Sequence, residues 1–174
     1  MGSCGGNGVN SSNAPTSDSS SKSGEADTRV VQDFVQEFYS WYVPAAANKR
    51  SSTASDMALE TRPSAFDASL ARQLKEDSDA QAKVKGDIVG LDFDPFLAAQ
   101  DPCERYEVVD VQKKAESYLV GVRGVGGCEK HDKADVIAEV ASKNGTLSFV
   151  NFHYPGFPDG DLLTLLRKMR EDRR

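Results

Sequence analysis

The residues of this chain with chemistry to offer are few and scattered: Cys103 and Cys128, His131 and His153, and the carboxylates Asp92, Asp94 and Asp101. Cys103 and Cys128 are too far apart for the CxxC spacing of a redox pair, which argues against thiol catalysis. In an oxidising compartment they would instead close a loop of about 25 residues, worth about 3 kcal/mol in the chain-entropy picture. In a reducing compartment they would stay free. Asp92, Asp94 and Asp101 could in principle hold a hard divalent cation. However, Asp94 precedes Pro95, the pattern of a helix cap, and the run lacks the glycine turn and distal glutamate of a calcium loop. The reading is therefore a cap, with no metal and no cofactor. His131 lies in the charged turn Glu129-Lys130-His131-Asp132-Lys133, and His153 closes an apolar run before Tyr154-Pro155. A general-base role for His153 would need an orienting carboxylate and a nucleophile, and neither a serine elbow nor a cysteine–histidine pattern accompanies it. Gly121–Gly127 is glycine-rich but lacks the lysine and the following helix of a phosphate loop. No catalytic set is visible.

The third cysteine carries a different message. Met1-Gly2-Ser3 precede Cys4, and a Gly/Ser/Asn-rich stretch runs on to Ala26. This is the pattern of a bacterial lipoprotein whose signal peptide has been replaced by a start codon and a short leader. Cys4 is then the lipidation site, and residues 5–26 form a disordered tether spanning on the order of 25 Å. A eukaryotic acylation signal would want Ser or Thr at position 6, where this chain has Gly6. The expected location is the bacterial periplasm, lipid-anchored to the envelope, which is also where a disulfide would persist.

The elements that must position these residues follow from periodicity. The formal charge of −6 and the pI near 5.0 exclude a general nucleic-acid binder. The basic cluster Arg167, Lys168, Arg170, Arg173 and Arg174 reads as a solvated helix end. One domain is expected, from residue 27 to residue 174. Asp27 or Thr28 would cap a first helix whose Val30, Val31, Phe34, Val35, Phe38, Tyr39, Trp41 and Tyr42 make one buried, heavily aromatic stripe, ended by Pro44. A short helix is expected over Asp56–Glu60, and a second from a Ser64 cap to about Glu76, with a loop or frayed helix end over Asp77–Gly86. Asp94-Pro95 starts a helical turn that buries Phe96 and Leu97. Beyond Pro102 the period changes to two: strands are expected around Tyr106–Val111, Tyr118–Val122, Val136–Val140 and Leu147–Phe152, the last two joined by Asn144-Gly145. Asp159 or Asp161 caps a final amphipathic helix. The fold class is α+β: helices packed on a curved four-stranded antiparallel sheet.

This order of elements resembles the cystatin-like or nuclear-transport-factor-2-like superfold, and the run DPFLAAQD at Asp94–Asp101 resembles an uncharacterised bacterial family of small secreted proteins and lipoproteins. The resemblance covers roughly Val30 to Arg167. It implies the fold, and by analogy a binding module that neutralises another protein, such as an immunity protein against a secreted antibacterial effector. A rival reading is a pocket protein or enzyme using His153, Tyr154 and acidic residues. A third is a structural envelope protein without a discrete site. For a protein partner, the expected contacts are Glu129, His131 and Asp132 in one long loop, and His153, Tyr154 and Phe157 in the proline-braced segment after the last strand. Phe152 and Phe157 could equally pack the junction between that strand and the final helix.

Overall fold

A computed structural model of the chain describes residues 1–2, 19–48, 51–129, 131–158 and 160–173. Cys4 and most of the expected tether lie outside these residues, as does Asp159. The described chain is α+β: helices α1 (Ser19–Ala46), α2 (Ser51–Thr61) and α3 (Ala68–Lys83), strands β1 (Arg105–Lys114), β2 (Ser117–Val125), β3 (Val136–Lys143) and β4 (Thr146–His153), and helix α4 (Leu162–Asp172). The strands pair antiparallel in the order β1-β2-β3-β4, an open meander. Asn144 and Gly145 both have positive φ, as the two-residue turn between β3 and β4 requires.

One face of the sheet is built from Tyr106 of β1, Tyr118, Val120 and Val122 of β2, Val136, Ala138 and Val140 of β3, and Phe149 and Phe152 of β4, all buried. Against it lies the aromatic stripe of α1. Phe38 is its hub, with rings of Tyr42, Phe66, Phe96 and Phe149 within 5.7 Å. Register shifts between Val108 and Asp110 and between Glu139 and Val140 mark bulges in β1 and in the β3–β4 pair.

Both sheet edges are managed. On β1, the Gln36 side chain of α1 donates to the Tyr106 carbonyl at 3.0 Å and accepts from Val108 N–H at 2.9 Å, standing in for a neighbouring strand. On β4, Phe66 forms a parallel bridge to Phe149, and Asp67 N–H donates to the Phe149 carbonyl at 2.8 Å.

Both boundaries of each of the first three helices differ from the sequence expectation. Helix α1 begins at Ser19 rather than Asp27 or Thr28, because extending a nucleated helix is far cheaper than starting one. It also passes through Pro44 and ends at Ala46; the missing N–H falls in the last turn, where the loss is one hydrogen bond. Helix α2 runs over all of Ser51–Thr61, well beyond Asp56–Glu60. Ser64 does not cap α3. Pro63–Ala65 forms a 3-10 turn, Phe66 is extended to reach β4, and the cap passes to Asp67, whose carboxylate accepts from Ser69 N–H at 2.8 Å.

Of the stretch Asp77–Gly86, expected as a loop or frayed helix end, the part up to Lys83 is regular helix. Its polar side chains tie down the following segment: Asp77 accepts from Leu91 N–H at 2.9 Å, and Gln81 accepts from Val89 and Gly90 N–H at 2.9 and 3.1 Å. Asp77 also receives Arg173 at 2.6 Å, so one member of the basic C-terminal cluster is a tie rather than a solvated end. Asp161 caps α4, accepting from Thr164 N–H at 3.0 Å.

Candidate functional site: a groove between two braced loops

The space between α1 and the sheet is filled by the segment after Asp92. Asp94 is buried, and its Oδ1 accepts from Phe96 and Leu97 N–H at 2.9 and 3.2 Å. Pro95–Ala98 form a single turn, closed by Asp94 N–H donating to the Ala99 carbonyl, with Ala98 at positive φ. Phe96 and Leu97 point inward and are fully buried.

Four tyrosine hydroxyls converge on this turn from three elements. Tyr42 donates to Asp94 Oδ2 at 2.6 Å, Tyr39 to the Phe96 carbonyl at 2.7 Å, Tyr154 to the Pro95 carbonyl at 2.7 Å, and Tyr106 to the Leu97 carbonyl at 3.3 Å. A turn carrying buried carbonyls in place of a regular ladder needs such donors. Burial pushes the Asp94 carboxyl up to about 6, although the Tyr42 hydroxyl and two N–H groups favour its charged form. Burial first, and the Asp94 charge second, hold the hydroxyls of Tyr39, Tyr42 and Tyr154 well above the usual phenol range, so they remain donors. Asp94 thus acts as the cap anticipated from Asp94-Pro95. Asp92 and Asp101 are exposed, and among the described residues no group of three or more His, Cys, Asp and Glu could hold a metal ion.

With the interior closed, concave surface is left at the periphery, and part of it lies between two loops. Cys103 and Cys128 form a disulfide across a sequence separation of 25 residues, with Cα atoms 5.1 Å apart. It pins the loop after β2 to the residues just before β1, and Gly124 makes room for it: a Cβ there would lie 2.2 Å from Cys103 Sγ. Asp135 secures the far end of the same loop. Its Oδ2 accepts from Gly124 N–H at 2.7 Å, its Oδ1 pairs with His131 Nδ1, and its own N–H donates to the Val122 carbonyl at 2.9 Å. The hydrogen bond to Asp135 holds the His131 imidazole above its ordinary pKa.

The second loop is equally constrained. Phe157 N–H donates to the Tyr154 carbonyl at 3.0 Å, and Tyr154 N–H donates to the Gly160 carbonyl at 2.8 Å. The Phe157 ring, 38% exposed, rests 5.3 Å from Phe93 and 5.4 Å from Tyr154. Between the two loops lies a groove of about 560 Å³. Ala98, Ala134, Pro155 and Phe157 give it an apolar floor, and His131 and Asp132 stand on its rim.

This groove brings together three of the expected contact residues, His131, Asp132 and Phe157, with Glu129 exposed just before them in the chain. Two others are placed elsewhere. Tyr154 is 1% exposed and belongs to the core, because its hydroxyl is committed to the Pro95 carbonyl; it cannot contact a partner. His153 faces the other side of the sheet, with Nε2 2.9 Å from Glu139 Oε2.

Ser117 donates to the second oxygen of Glu139 at 2.9 Å, so a serine, a glutamate and a histidine are linked on the open sheet face. The order is wrong for nucleophilic catalysis. The carboxylate sits in the middle, so the serine hydroxyl meets Glu139 and not the imidazole of His153.

Sequence reasoning missed the convergence of the tyrosines and the Gln36 edge clamp, since neither leaves a local spacing signal. It also missed a second groove, of about 690 Å³, between α1, the Pro63–Ala65 turn and the β3–β4 hairpin. No family model, no curated protein and no solved structure matches this chain. Among the described residues, no helix is long and apolar enough to cross a membrane.

Proposed function

We propose that this chain is a non-enzymatic protein-binding module of the bacterial envelope, tethered through Cys4, that captures and neutralises another protein such as a secreted antibacterial effector. The observation that carries the binding role is the filled interior combined with two loops held rigid around an apolar groove. A pocket protein of similar architecture would need space between α1 and the sheet, and Phe96 and Leu97 take that space. A disulfide, a doubly bonded Asp135 and a Phe157 ring in tilted contact with Phe93 and Tyr154 fix the groove before any partner arrives, which lowers the ordering entropy of association. An exposed aromatic ring on such a floor is a natural anchor for a partner side chain. The acidic balance of the chain favours a basic or neutral partner and speeds its encounter. The envelope location rests on Cys4 and its Gly/Ser-rich surroundings, and the neutralising role on the resemblance to small envelope lipoproteins.

Site-specific photocrosslinking in cells producing the full chain tests this reading. A benzophenone amino acid at position 132 or 157 should yield a discrete crosslinked protein, and one at Gln112, exposed on β1, should not. Charge reversal at Glu129 and Asp132 should then reduce the yield at position 157 without lowering the melting temperature. Crosslinks from position 112 alone, or none from the groove positions, would refute the assignment.

A further inference from the structure

The groove between α1, the Pro63–Ala65 turn and the β3–β4 hairpin has a build that the loop groove lacks. One wall is acidic: Asp33 and Glu37 lie one helical turn apart on α1, both exposed, and among the described residues neither forms an ion pair. Arg62, the one cation lining the groove among the described residues, stacks its guanidinium 4.4 Å from the centre of the Trp41 ring and forms no ion pair with Asp33 or Glu37. The floor is apolar. Val30 is 60% exposed, and half-buried Phe34 and Leu147 border the core through the Phe34–Phe149 ring contact at 4.9 Å.

The other wall is a sheet edge. The Phe66–Asp67 segment covers β4 only at Phe149, through an isolated bridge. The pairing with β3 is regular from Thr146 to Phe149, so the N–H and C=O of Leu147 point the same way as those of Phe149, outward from the sheet. At Leu147 that edge lies in the groove.

We propose that this groove docks an extended, basic segment of a partner protein: a strand that pairs with β4 at Leu147 and places a lysine or arginine against Asp33 and Glu37. The main-chain pairing supplies register, and the acidic wall selects the charge. A negative segment is refused by the same wall, because its carboxylates would face two unneutralised ones. The site is separate from the loop groove and stands whether or not that groove is used.

The test is an NMR titration of the full ¹⁵N-labelled chain with a capped hexapeptide, Thr-Val-Lys-Val-Arg-Thr. Two control peptides carry glutamate in place of Lys and Arg, or an N-methyl group on the central valine. Saturable shifts are expected at the amides of Leu147, Asp33 and Glu37. Each control peptide should bind about tenfold more weakly or worse, as should the double variant Asp33→Lys, Glu37→Lys, at an unchanged melting temperature. Four results would overturn the proposal: no saturable shift at millimolar peptide, equal binding of the acidic peptide, shifts confined to residues 131–135 and 155–157, or a concentration-dependent shift of Leu147 without peptide. The third would place binding in the loop groove, and the fourth would make a second copy of the chain the occupant.

Discussion

Replacing Asp94 with asparagine should abolish a specific part of the pH dependence of stability. In the folded chain burial raises the Asp94 carboxyl from 3.8 to about 6, so the native state holds this proton more tightly than the unfolded state does. The contribution to stability is complete below about pH 4, where both states are protonated. It is lost as pH rises through 6, where the native state must also ionise a group that is only 3% exposed. A displacement from 3.8 to about 6 corresponds to about 3 kcal/mol, at about 1.4 kcal/mol per tenfold change in proton affinity. Asparagine keeps an acceptor for the N–H groups of Phe96 and Leu97 and presents an amide to the Tyr42 hydroxyl, but it cannot ionise. Urea denaturation of wild type and Asp94→Asn at pH 4, 5, 6, 7 and 8 gives the difference directly, and the other titrating groups cancel between the two proteins. The variant should lie within about 1 kcal/mol of wild type at pH 4, the scale of one hydrogen bond, and gain on it by up to about 3 kcal/mol by pH 7. A difference that stays constant from pH 4 to pH 8 would mean that the carboxylate is as well solvated in the fold as outside it, and the account of its burial would fail.

Other consequences can be checked on the same material. Removing both Cys103 and Cys128 as serines should cost about 3 kcal/mol, and mass spectrometry of non-reduced peptides from wild type should show the two cysteine peptides joined. Gly124→Ala should lower the melting temperature and raise the number of thiols titratable under native conditions, since its Cβ would sit 2.2 Å from Cys103 Sγ. Gln36→Ala should cost about 1–2 kcal/mol and speed hydrogen exchange at the Val108 amide, because Val108 N–H and the Tyr106 carbonyl lose the partner that Gln36 gives them on the β1 edge. Tyr154→Phe should cost about 1 kcal/mol through the Pro95 carbonyl left without its donor, measured by calorimetric melting.

Where a residue's role depends on its immediate neighbours in the chain, the sequence was enough. The alternation in Tyr118–Val122, the Asn144-Gly145 turn, the aromatic spacing of α1 and the cap at Asp94 all act over a few residues, and all appear in the structure. Where a polar residue takes a distant partner, local patterning misleads. Asp77 and Gln81 read as loop or frayed helix end because they are polar, yet they carry helix α3 onward by anchoring residues 89–91 and Arg173. Ser64 reads as a cap and loses that role because Phe66, two residues on, must stay extended to meet β4. Both errors are tertiary requirements overriding local preference.

The candidate site divides along the same line. Loop length and composition pointed to residues 129–133 and to Phe157, because long connections and proline-held aromatics are local features. Tyr154 failed that logic: it is two residues before a glycine and next to a proline, as a loop aromatic would be, yet its hydroxyl is one of four that the buried 94–97 turn demands. The same demand leaves the open concave surface to the periphery. A turn with inward carbonyls can be buried only if donors surround it, so Tyr39, Tyr42, Tyr106 and Tyr154 are spent there, and Phe96 and Leu97 fill the layer between α1 and the sheet. What stays available is rigid surface: a floor at Phe157 held by Phe93 and Tyr154, a rim held by the disulfide and Asp135, and an acidic helix wall facing an open strand edge. An interior committed to holding its own turn favours recognition at the edges over chemistry at the centre.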